Sequence, residues 1–245
     1  MSCRARRLVA AAGTVAVLAL SGCLPGDRND DGSGAASGGD TTTGPGRPLD
    51  HQEIRAAAPA DEAIGDGWRA DPESVPEERL TARDFTPQVC MQLYRLGPGD
   101  DEARQRERGQ VRVGYSRTSG GEVSQTLTVT IASYDAPVPT TWFDTSGEAL
   151  SKCSRYEQRN AYGNPLEYEA RAVTFPRFGD RTSAFRITHE LRHETNLVVF
   201  TSDVVTVKVG HNLVRVFHQS TKGAPDAETT ERTVRATIAG LEEQG

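Results

Sequence analysis

Most recognisable catalytic motifs are absent from this sequence. It contains no G-x-S-x-G nucleophile elbow, no G-x-x-x-x-G-K-[ST] phosphate loop, no C-x-x-C pair and no dinucleotide-type glycine pattern after a strand. Aspartate and glutamate are plentiful, but no pair of them can be assigned to acid and base roles from sequence alone. We therefore predict no catalytic residue and no cofactor, and we interpret the chain as a protein other than an enzyme.

Apolar runs long enough to span a membrane are absent as well, since such a helix needs about 20 residues. The run at 8–20 is shorter, and three arginines between residues 4 and 7 precede it, which is the pattern of a secretory signal peptide. It ends in Leu-Ser-Gly-Cys, which resembles the lipobox of bacterial lipoproteins, where the cysteine receives acyl groups such as palmitate. The sequence predicts a lipoprotein signal peptide at 1–22 and a lipidated Cys23. An ordinary signal peptide with a chance cysteine is the alternative.

Apolar residues are scarce in the next segment, 23–50, which is rich in Gly, Ser, Thr and Asp. Such a segment cannot bury enough surface to offset its ordering entropy, so we expect a flexible tether with a span on the order of 30 Å. The remainder, 51–245, has the size of a single domain. The expected location is the extracytoplasmic face of the cell membrane, with the domain held away from the lipid.

A basic surface is also lacking. The chain has a formal net charge of −6, and the predicted loss of residues 1–22 removes three arginines and no acidic residue, which leaves −9. Nucleic acid is an unfavourable partner for so acidic a domain. Apart from the membrane, contacted through the lipid anchor, the expected partner is an unidentified extracellular small molecule or an envelope protein.

Cysteine is scarce, with four residues in the chain. Cys3 lies in the predicted signal peptide and Cys23 at the lipidation site, so Cys90 and Cys153 remain as a pair in an oxidising compartment. We predict a disulfide between them, which would stabilise the fold by roughly 4 kcal/mol on a chain-entropy estimate. A catalytic thiol is the alternative, and it would require a free cysteine beside a base.

Helical signals appear at three places in the domain. Thr86-Pro87 is typical of a helix start, with Thr as the N-cap, and it would place Cys90 on a buried face. A stripe from Trp142 through Cys153 to Tyr156 has helical spacing, and we interpret its aromatic residues as core rather than as a ligand-stacking pair. A closing helix is expected after Pro225-Asp226. Its predicted inner face consists of Ala227, Val234, Ile238 and Leu241.

Strand signals fill the rest of the domain. A hairpin is expected around the turn 119–122, and a second tight turn at 210–212. We interpret His211 as a turn residue and His218 as a sheet residue, with a pH-sensing role as the alternative. The pattern predicts an α+β fold, an antiparallel sheet of about six to seven strands with helices packed against it and one disulfide. The strand segments are 111–115, 127–131, 166–175, 183–191, 196–202, 204–209 and 213–220.

The segment 189–193, HELRH, reproduces the H-E-x-x-H motif, in which two histidines bind zinc and the glutamate is the general base. The motif requires a helix, on which residues four apart can share a metal ion. Apolar and polar residues alternate through 185–192, which indicates a strand, and there residues four apart are separated by about 13 Å. We therefore predict no metal site. A zinc metallopeptidase using His189, Glu190 and His193 is kept as an alternative.

One family resemblance spans nearly the whole domain, about 52–245. The segment ADEAIGDGW at 60–68, the order of helices and hairpin, and VGHNLVRV with Gly210 and Asn212 as turn residues resemble actinobacterial lipoproteins that are similar to the extracellular sensor domain of mycobacterial PknH-type serine/threonine kinases. The resemblance implies a non-catalytic antiparallel sheet with helices, disulfide support and a cleft for an unknown extracellular ligand. The kinase domain has two disulfides where one is expected here. No kinase sequence is present, so we expect any signal to pass through a partner.

The function predicted from the sequence is a lipid-anchored, extracytoplasmic ligand-binding or sensor-like module without catalysis. The alternatives are the zinc metallopeptidase and an envelope protein that acts only through protein–protein contacts.

Overall fold

The computed structural model describes residues 47–75, 80–96, 101–160, 162–193 and 196–245. The predicted signal peptide and Cys23 lie outside these ranges, as does most of the predicted tether. The folded part begins before residue 51, because Leu49 is only 1% exposed and its N–H donates to the Ser133 hydroxyl. Asp50 then caps the first helix by accepting from the N–H groups of Gln52 and Glu53.

An antiparallel sheet of nine strands is the centre of the fold, where six to seven strands were expected. The predicted strands 196–202 and 204–209 are one continuous strand, because residues 201–209 pair without a break with the following strand. The additional strands are short ones near the edges of the sheet, whose few residues leave little alternation in the sequence. The strands are β1 Trp68–Ala70, β2 Phe85–Thr86, β3 Glu107–Ser119, β4 Glu122–Tyr134, β5 Arg155–Arg159, β6 Pro165–Ala172, β7 Arg181–His193, β8 Asn196–Val209 and β9 Asn212–Ser220, in the spatial order β1-β3-β4-β9-β8-β7-β6-β5-β2.

Both predicted tight turns are confirmed. Gly120 and Gly121 join β3 to β4 with positive φ angles of 69° and 87°, which only glycine adopts without strain. Gly210 and His211 join β8 to β9, and the Gly210 N–H donates to an Asp180 carboxylate oxygen. These hairpins bring β4, β9 and β8 together at the middle of the sheet.

One face of the sheet, here called the α5 face, is covered by three helices. It carries Leu127, Val129 and Val216, and its core includes apolar residues from each helix. Asp226 caps α5 as predicted, but Ala227 is exposed, and threonines make up much of the buried side of this helix. Those threonines return hydrogen bonds to carbonyl groups one turn earlier, which satisfies their hydroxyls. The helices are α1 His51–Ala56, α2 Asp61–Ile64 and α5 Ala227–Gln244.

The opposite face, here called the disulfide face, carries Phe185, Val204 and Phe217. A short 3-10 helix, Gln88–Leu93, and the helix α4, Thr141–Lys152, pack on it and are joined by the predicted disulfide. A further helix, α3, spans Asp101–Gln105. In the part of the chain that the structure describes, no helix is long and apolar enough to cross a membrane.

Two predicted helix boundaries are wrong. Thr86 belongs to β2, the Thr86–Pro87 peptide is cis, and the 3-10 helix begins only at Gln88. The helix around Trp142 ends at Lys152, because the following residues 155–159 pair with β6. Tyr156 is therefore a strand residue, although Cys90 and Cys153 are buried as expected.

The hairpin of β7 and β8 extends beyond its neighbours. Residues 190–193 of β7 lie past the stretch paired with β6, and residues 196–200 of β8 lie past the stretch paired with β9. Leu191, Leu197 and Val199 in this extension are 37–47% exposed. We refer to residues 190–193 and 196–200 together as the hairpin extension.

Candidate functional site

The HELRH segment lies on β7, so its spacing is that of a strand, as predicted. His189 is stacked between Tyr168 and Phe200, with ring centroids at 4.5 and 4.8 Å, and Tyr156 stacks on Tyr168 at 5.3 Å. Burial lowers the pKa of His189 to about 4, so its ring is neutral near pH 7. His189 is thus one ring in an aromatic ladder that crosses four strands, and Glu190 is exposed on the other face.

A metal centre has no support from this geometry. His193 is the last residue of β7, and along a strand four residues correspond to about 13 Å, which is too far for two side chains to share a zinc ion. Among the described residues, no group of three His, Cys, Asp or Glu side chains is placed to hold a metal ion. The helical arrangement that the peptidase alternative requires is therefore not formed.

Cys90 and Cys153 form the predicted disulfide, with a Cα–Cα distance of 5.7 Å. Neither is then a free thiol, so the catalytic-thiol alternative is wrong. Trp142 contacts Tyr134 at 5.1 Å, whereas Tyr156 belongs to the ladder around Tyr168, so the two aromatic residues of the predicted stripe pack in different clusters.

His211 and His218 occupy the positions predicted for them. His211 lies in the β8–β9 turn and its Nδ1 is 3.1 Å from the Tyr134 carbonyl oxygen. His218 on β9 is fully buried on the α5 face, with Nδ1 2.8 Å from the Thr230 hydroxyl and Nε2 2.9 Å from the Gln125 side-chain oxygen. Burial lowers the pKa of His218 to about 4.

The feature that sequence reasoning missed is a line of polar residues across the middle of the disulfide face. Five residues from five adjacent strands stand directly opposite one another in the strand register, so their side chains share this face. We call them the polar row: Arg112, Thr130, Arg215, Thr206 and Ser183.

Arg215 is the central member of the polar row. It is 7% exposed, and its Nε donates to the Thr206 hydroxyl at 3.1 Å. Its two terminal amino groups make no hydrogen bond to any described residue. They are not among the fully buried polar atoms that lack a partner, so they still reach solvent. Burial, and secondarily the charge of Arg112, lower the pKa of Arg215 to about 10.

Hydroxyl groups flank this guanidinium. Thr130 lies beside Arg215, and Thr128 is the next residue of β4 on the same face; both are 6–7% exposed. Within the described ranges neither hydroxyl has a hydrogen-bond partner. Most buried polar groups in proteins do have one, so these hydroxyls are open to a bound molecule or to water.

The neighbouring cations on the disulfide face differ from Arg215 because each of them is paired with a carboxylate. The Lys208 ammonium lies 3.5 Å from Asp180, and an Arg181 amino group lies 2.6 Å from Asp144. Arg112 and Arg215 are the exceptions among the described cations of this face. The positive charge of the polar row is therefore uncompensated at the centre of an acidic protein.

A concavity of 440 Å³ lies over β5 and β6, next to the edge strand β2. Its charged lining consists of Arg155, Glu157, Glu167 and Glu169, and Arg155 pairs with Glu169 at 3.0 Å. Both side chains of that pair are exposed, and such pairs contribute little to binding or stability. This groove is a weaker candidate than the polar row.

A sequence signal for the polar row did exist. Arg215 interrupts an otherwise apolar run from Leu213 to Phe217, and a charged residue at such a position needs an explanation. Its connection to Arg112 and Thr130 depends on the pairing of β4 with β9, whose paired residues are 79 (212 − 133) to 95 (220 − 125) positions apart in sequence, so alternation within one strand could not reveal it.

Comparison with known proteins supports the fold. No protein-family model matches the sequence, and no curated protein matches it. The crystal structure of the extracellular domain of PknH from Mycobacterium tuberculosis matches 80% of this chain and 98% of that chain, with a TM-score of 0.57 and 8% sequence identity. An uncharacterized protein from Mycobacterium smegmatis matches over 76% of this chain and 100% of its own, with a TM-score of 0.40 and 16% identity. The chain thus has the fold of the PknH extracellular domain, which is the resemblance that its sequence predicts.

Proposed function

We propose that this chain is a lipid-anchored, extracytoplasmic, sensor-like module that binds a ligand on the polar row without transforming it. The observation that carries this proposal is the set of polar groups at the centre of the disulfide face that have no protein partner. Leaving such groups unsatisfied when they are desolvated costs about 1–3 kcal/mol each. Because these groups reach solvent in the unliganded protein, a ligand that displaces their water must supply the missing partners to avoid this cost.

The position of the polar row suits binding. Its members lie on five adjacent strands, so their backbone positions are fixed by the hydrogen bonds of the sheet. Binding sites built on strands are more precisely held than sites on loops. The likeness to a kinase extracellular domain supports an extracytoplasmic sensor-like role.

The chemistry of the row supports binding rather than catalysis. A nucleophilic hydroxyl needs a neighbouring base to accept its proton. The Thr206 hydroxyl accepts from Arg215 instead, and the described side chains of the row include no carboxylate and no histidine. Arginine stays protonated and is a poor base. These features are those of a site that holds a ligand.

Native mass spectrometry of the full chain, purified from membranes in a non-ionic detergent, tests ligand binding. We expect a co-purified molecule that is present in the native spectrum and lost on denaturation. The substitution Ser183→Phe, which fills one end of the polar row, should abolish it. Thr188→Phe is the matched control, because Thr188 is a half-buried residue of the same strand on the opposite face. Retention of the molecule in both variants, or no bound molecule in the wild type, would contradict the proposal.

The lipid anchor is tested separately. Metabolic labelling with an alkyne analogue of palmitate should label the wild-type chain and leave Cys23→Ser unlabelled, because Cys23 is the proposed acceptor. Equal labelling of the two chains would show that the acyl group is attached to a residue other than Cys23. If neither chain were labelled, the proposal of a lipid anchor would be wrong.

A second candidate function is that of an envelope protein acting through protein contacts. The hairpin extension favours it, because three large apolar side chains are exposed there within a short stretch. A photo-crosslinking residue placed at Leu197 in living cells should then capture one defined partner. A crosslinker at Val123, an exposed apolar residue outside the hairpin extension, is the control and should not capture it.

A further inference from the structure

We propose that Arg112 and Arg215 bind a tetrahedral oxyanion, such as a phosphate group, on the polar row. This inference rests on the proposed function, because it names the ligand class for the same site. The arrangement that carries it is a nearly buried guanidinium without a carboxylate, next to a second guanidinium without a carboxylate, within a line of hydroxyl groups.

The burial of Arg215 without a counter-ion is the first argument. A charge removed from water is costly unless it is paired, and proteins pair such charges almost without exception. The same face follows this rule twice, with Lys208 beside Asp180 and Arg181 beside Asp144. For Arg215 the described part of the chain provides the Thr206 hydroxyl and no carboxylate. A bound anion would fill the position that Asp180 and Asp144 fill for their partners.

The position of Arg112 is the second argument. Arg112 and Arg215 are both opposite Thr130, so their Cα atoms are two strand spacings apart, roughly 10 Å. Two long side chains can converge on one group over this distance. Like charges placed this close repel each other. An anion held between them would attract both guanidinium groups, and these two attractions would outweigh the repulsion.

The donors indicate the kind of anion. A guanidinium donates two parallel hydrogen bonds to a phosphate or carboxylate, and the Thr128 and Thr130 hydroxyls can donate from the neighbouring strand. Donors that approach from several strands suit the oxygen atoms of a tetrahedral group better than the two coplanar oxygens of a carboxylate. Two uncompensated positive charges also match a dianion such as hydrogen phosphate.

Isothermal titration of the full chain in non-ionic detergent with inorganic phosphate, at constant ionic strength, tests the proposal. Arg215→Met should weaken phosphate binding by at least about 30-fold, since it removes a desolvated charge partner. Arg112→Met, at a more exposed position, should weaken it by roughly fivefold. Arg181→Met is the matched control and should bind phosphate as the wild type does, because Arg181 is already paired with Asp144.

The unliganded protein provides an independent readout. Removing an uncompensated buried charge should raise the midpoint of thermal unfolding of Arg215→Met, whereas a purely structural arginine would lower it. If Arg215→Met does not fold, Arg215→Lys serves instead; it keeps the charge but loses the fork and should still bind phosphate more weakly. Equal phosphate binding by the wild type and both Arg215 variants, or none by the wild type, overturns the proposal.

The source of the phosphate is resolved by a second arm. Vesicles of phosphatidylcholine with phosphatidic acid, floated with the Cys23→Ser chain so that no acyl anchor contributes, report a lipid headgroup. Flotation that requires Arg215 supports a lipid phosphate, and phosphate binding without flotation supports a free phosphate compound. If no anion binds but Ser183→Phe still releases a co-purified neutral molecule, the oxyanion assignment fails while the proposed function stands.

Discussion

Two buried basic residues of β9 face opposite sides of the sheet and have different environments. His218 on the α5 face has a partner for each ring nitrogen, in Thr230 and Gln125, and is held neutral by burial. Arg215 on the disulfide face cannot lose its proton near pH 7 and has one hydroxyl partner. The first residue is satisfied by the fold, and the second is the centre of the proposed site.

His218 leads to a prediction about acid stability. Its pKa in the folded state is about 4, below the ordinary 6.5, so the unfolded chain takes up a proton before the folded chain does. The free energy of unfolding should therefore fall as the pH drops from about 6.5 to about 4, by roughly 3 kcal/mol for this residue. Urea unfolding of His218→Gln, followed by tryptophan fluorescence across this pH range, should show a smaller fall than the wild type.

The control for this prediction is His189→Phe, which keeps the aromatic ladder intact. His189 also has a pKa lowered to about 4, so it contributes a fall of the same sign, and the part due to His218 should persist in this variant. If the free energy of unfolding of His218→Gln fell with pH as much as that of the wild type, His218 would not be the source of the acid sensitivity.

For individual residues, alternation in the sequence predicted that His189 lies on a strand, because a two-residue period is local information. The disulfide was predicted from the number of cysteines and the expected oxidising compartment. The sequence could not identify Arg215 as a site residue. Whether Arg215 has a carboxylate partner depends on its neighbours on β3, β4 and β8, and not on β9 itself.

Among the elements, the 3-10 helix Gln88–Leu93 and α4 depend on each other. They pack together on the disulfide face, and the Cys90–Cys153 bond joins them across 63 residues of sequence. The short 3-10 helix has little intrinsic stability, since runs of this kind are rarely long. The disulfide therefore holds this layer of the fold in place on the disulfide face.

The double substitution Cys90→Ala with Cys153→Ala should lower the free energy of unfolding by about 4 kcal/mol, because the unfolded chain regains the entropy of an open loop. Chemical denaturation of the oxidised wild type and of the variant measures this difference. The reduced wild type is the control and should match the variant. An unchanged free energy of unfolding would contradict the stabilising role.

Sequence reasoning predicted the long strands and α5 because each has a clear period and, for α5, a cap at Asp226. It placed the helix start at Thr86 wrongly, because a Thr-Pro pair is as compatible with a strand end as with a helix cap. The short strands β1, β2 and β5 have two to five residues each, too few for a period to be recognised.

On the scale of the whole molecule, the two ends of the described chain meet. An Arg47 amino group donates to the Gln244 carbonyl oxygen at 2.9 Å, and Arg47 also pairs with Glu53 of α1. Adjacent ends can be joined by a short linker without distorting the fold. The sequence predicted the α+β class, but the meeting of the ends depends on the order of strands in the sheet, which pairings between distant segments determine.

A circular permutant tests whether the two ends can be joined while the fold is kept. Residue 245 joined to residue 47 by a short flexible linker, with new ends between Gly120 and Gly121, should unfold within about 1 kcal/mol of the parent, because the opened turn is exposed and touches nothing nearby. A permutant opened between Gly210 and His211 is the control. That turn is buried and bonded to Asp180, so its opening should prevent folding. Equal behaviour of the two permutants would contradict the prediction.

The hairpin extension has a consequence for solubility. Its outer backbone edges have no neighbouring strand among the described residues, and unpaired edges with apolar side chains are templates for intermolecular β-sheet aggregation. Glu190 and Arg192 are exposed on this edge, next to Leu191, and charges at such places oppose aggregation. Replacing both with valine should produce concentration-dependent light scattering from a chain that is still folded. The same replacement at Glu157 and Glu169, exposed residues whose strands are paired on both sides at these positions, should not. Two surface charges would then decide whether this protein stays dispersed at high concentration.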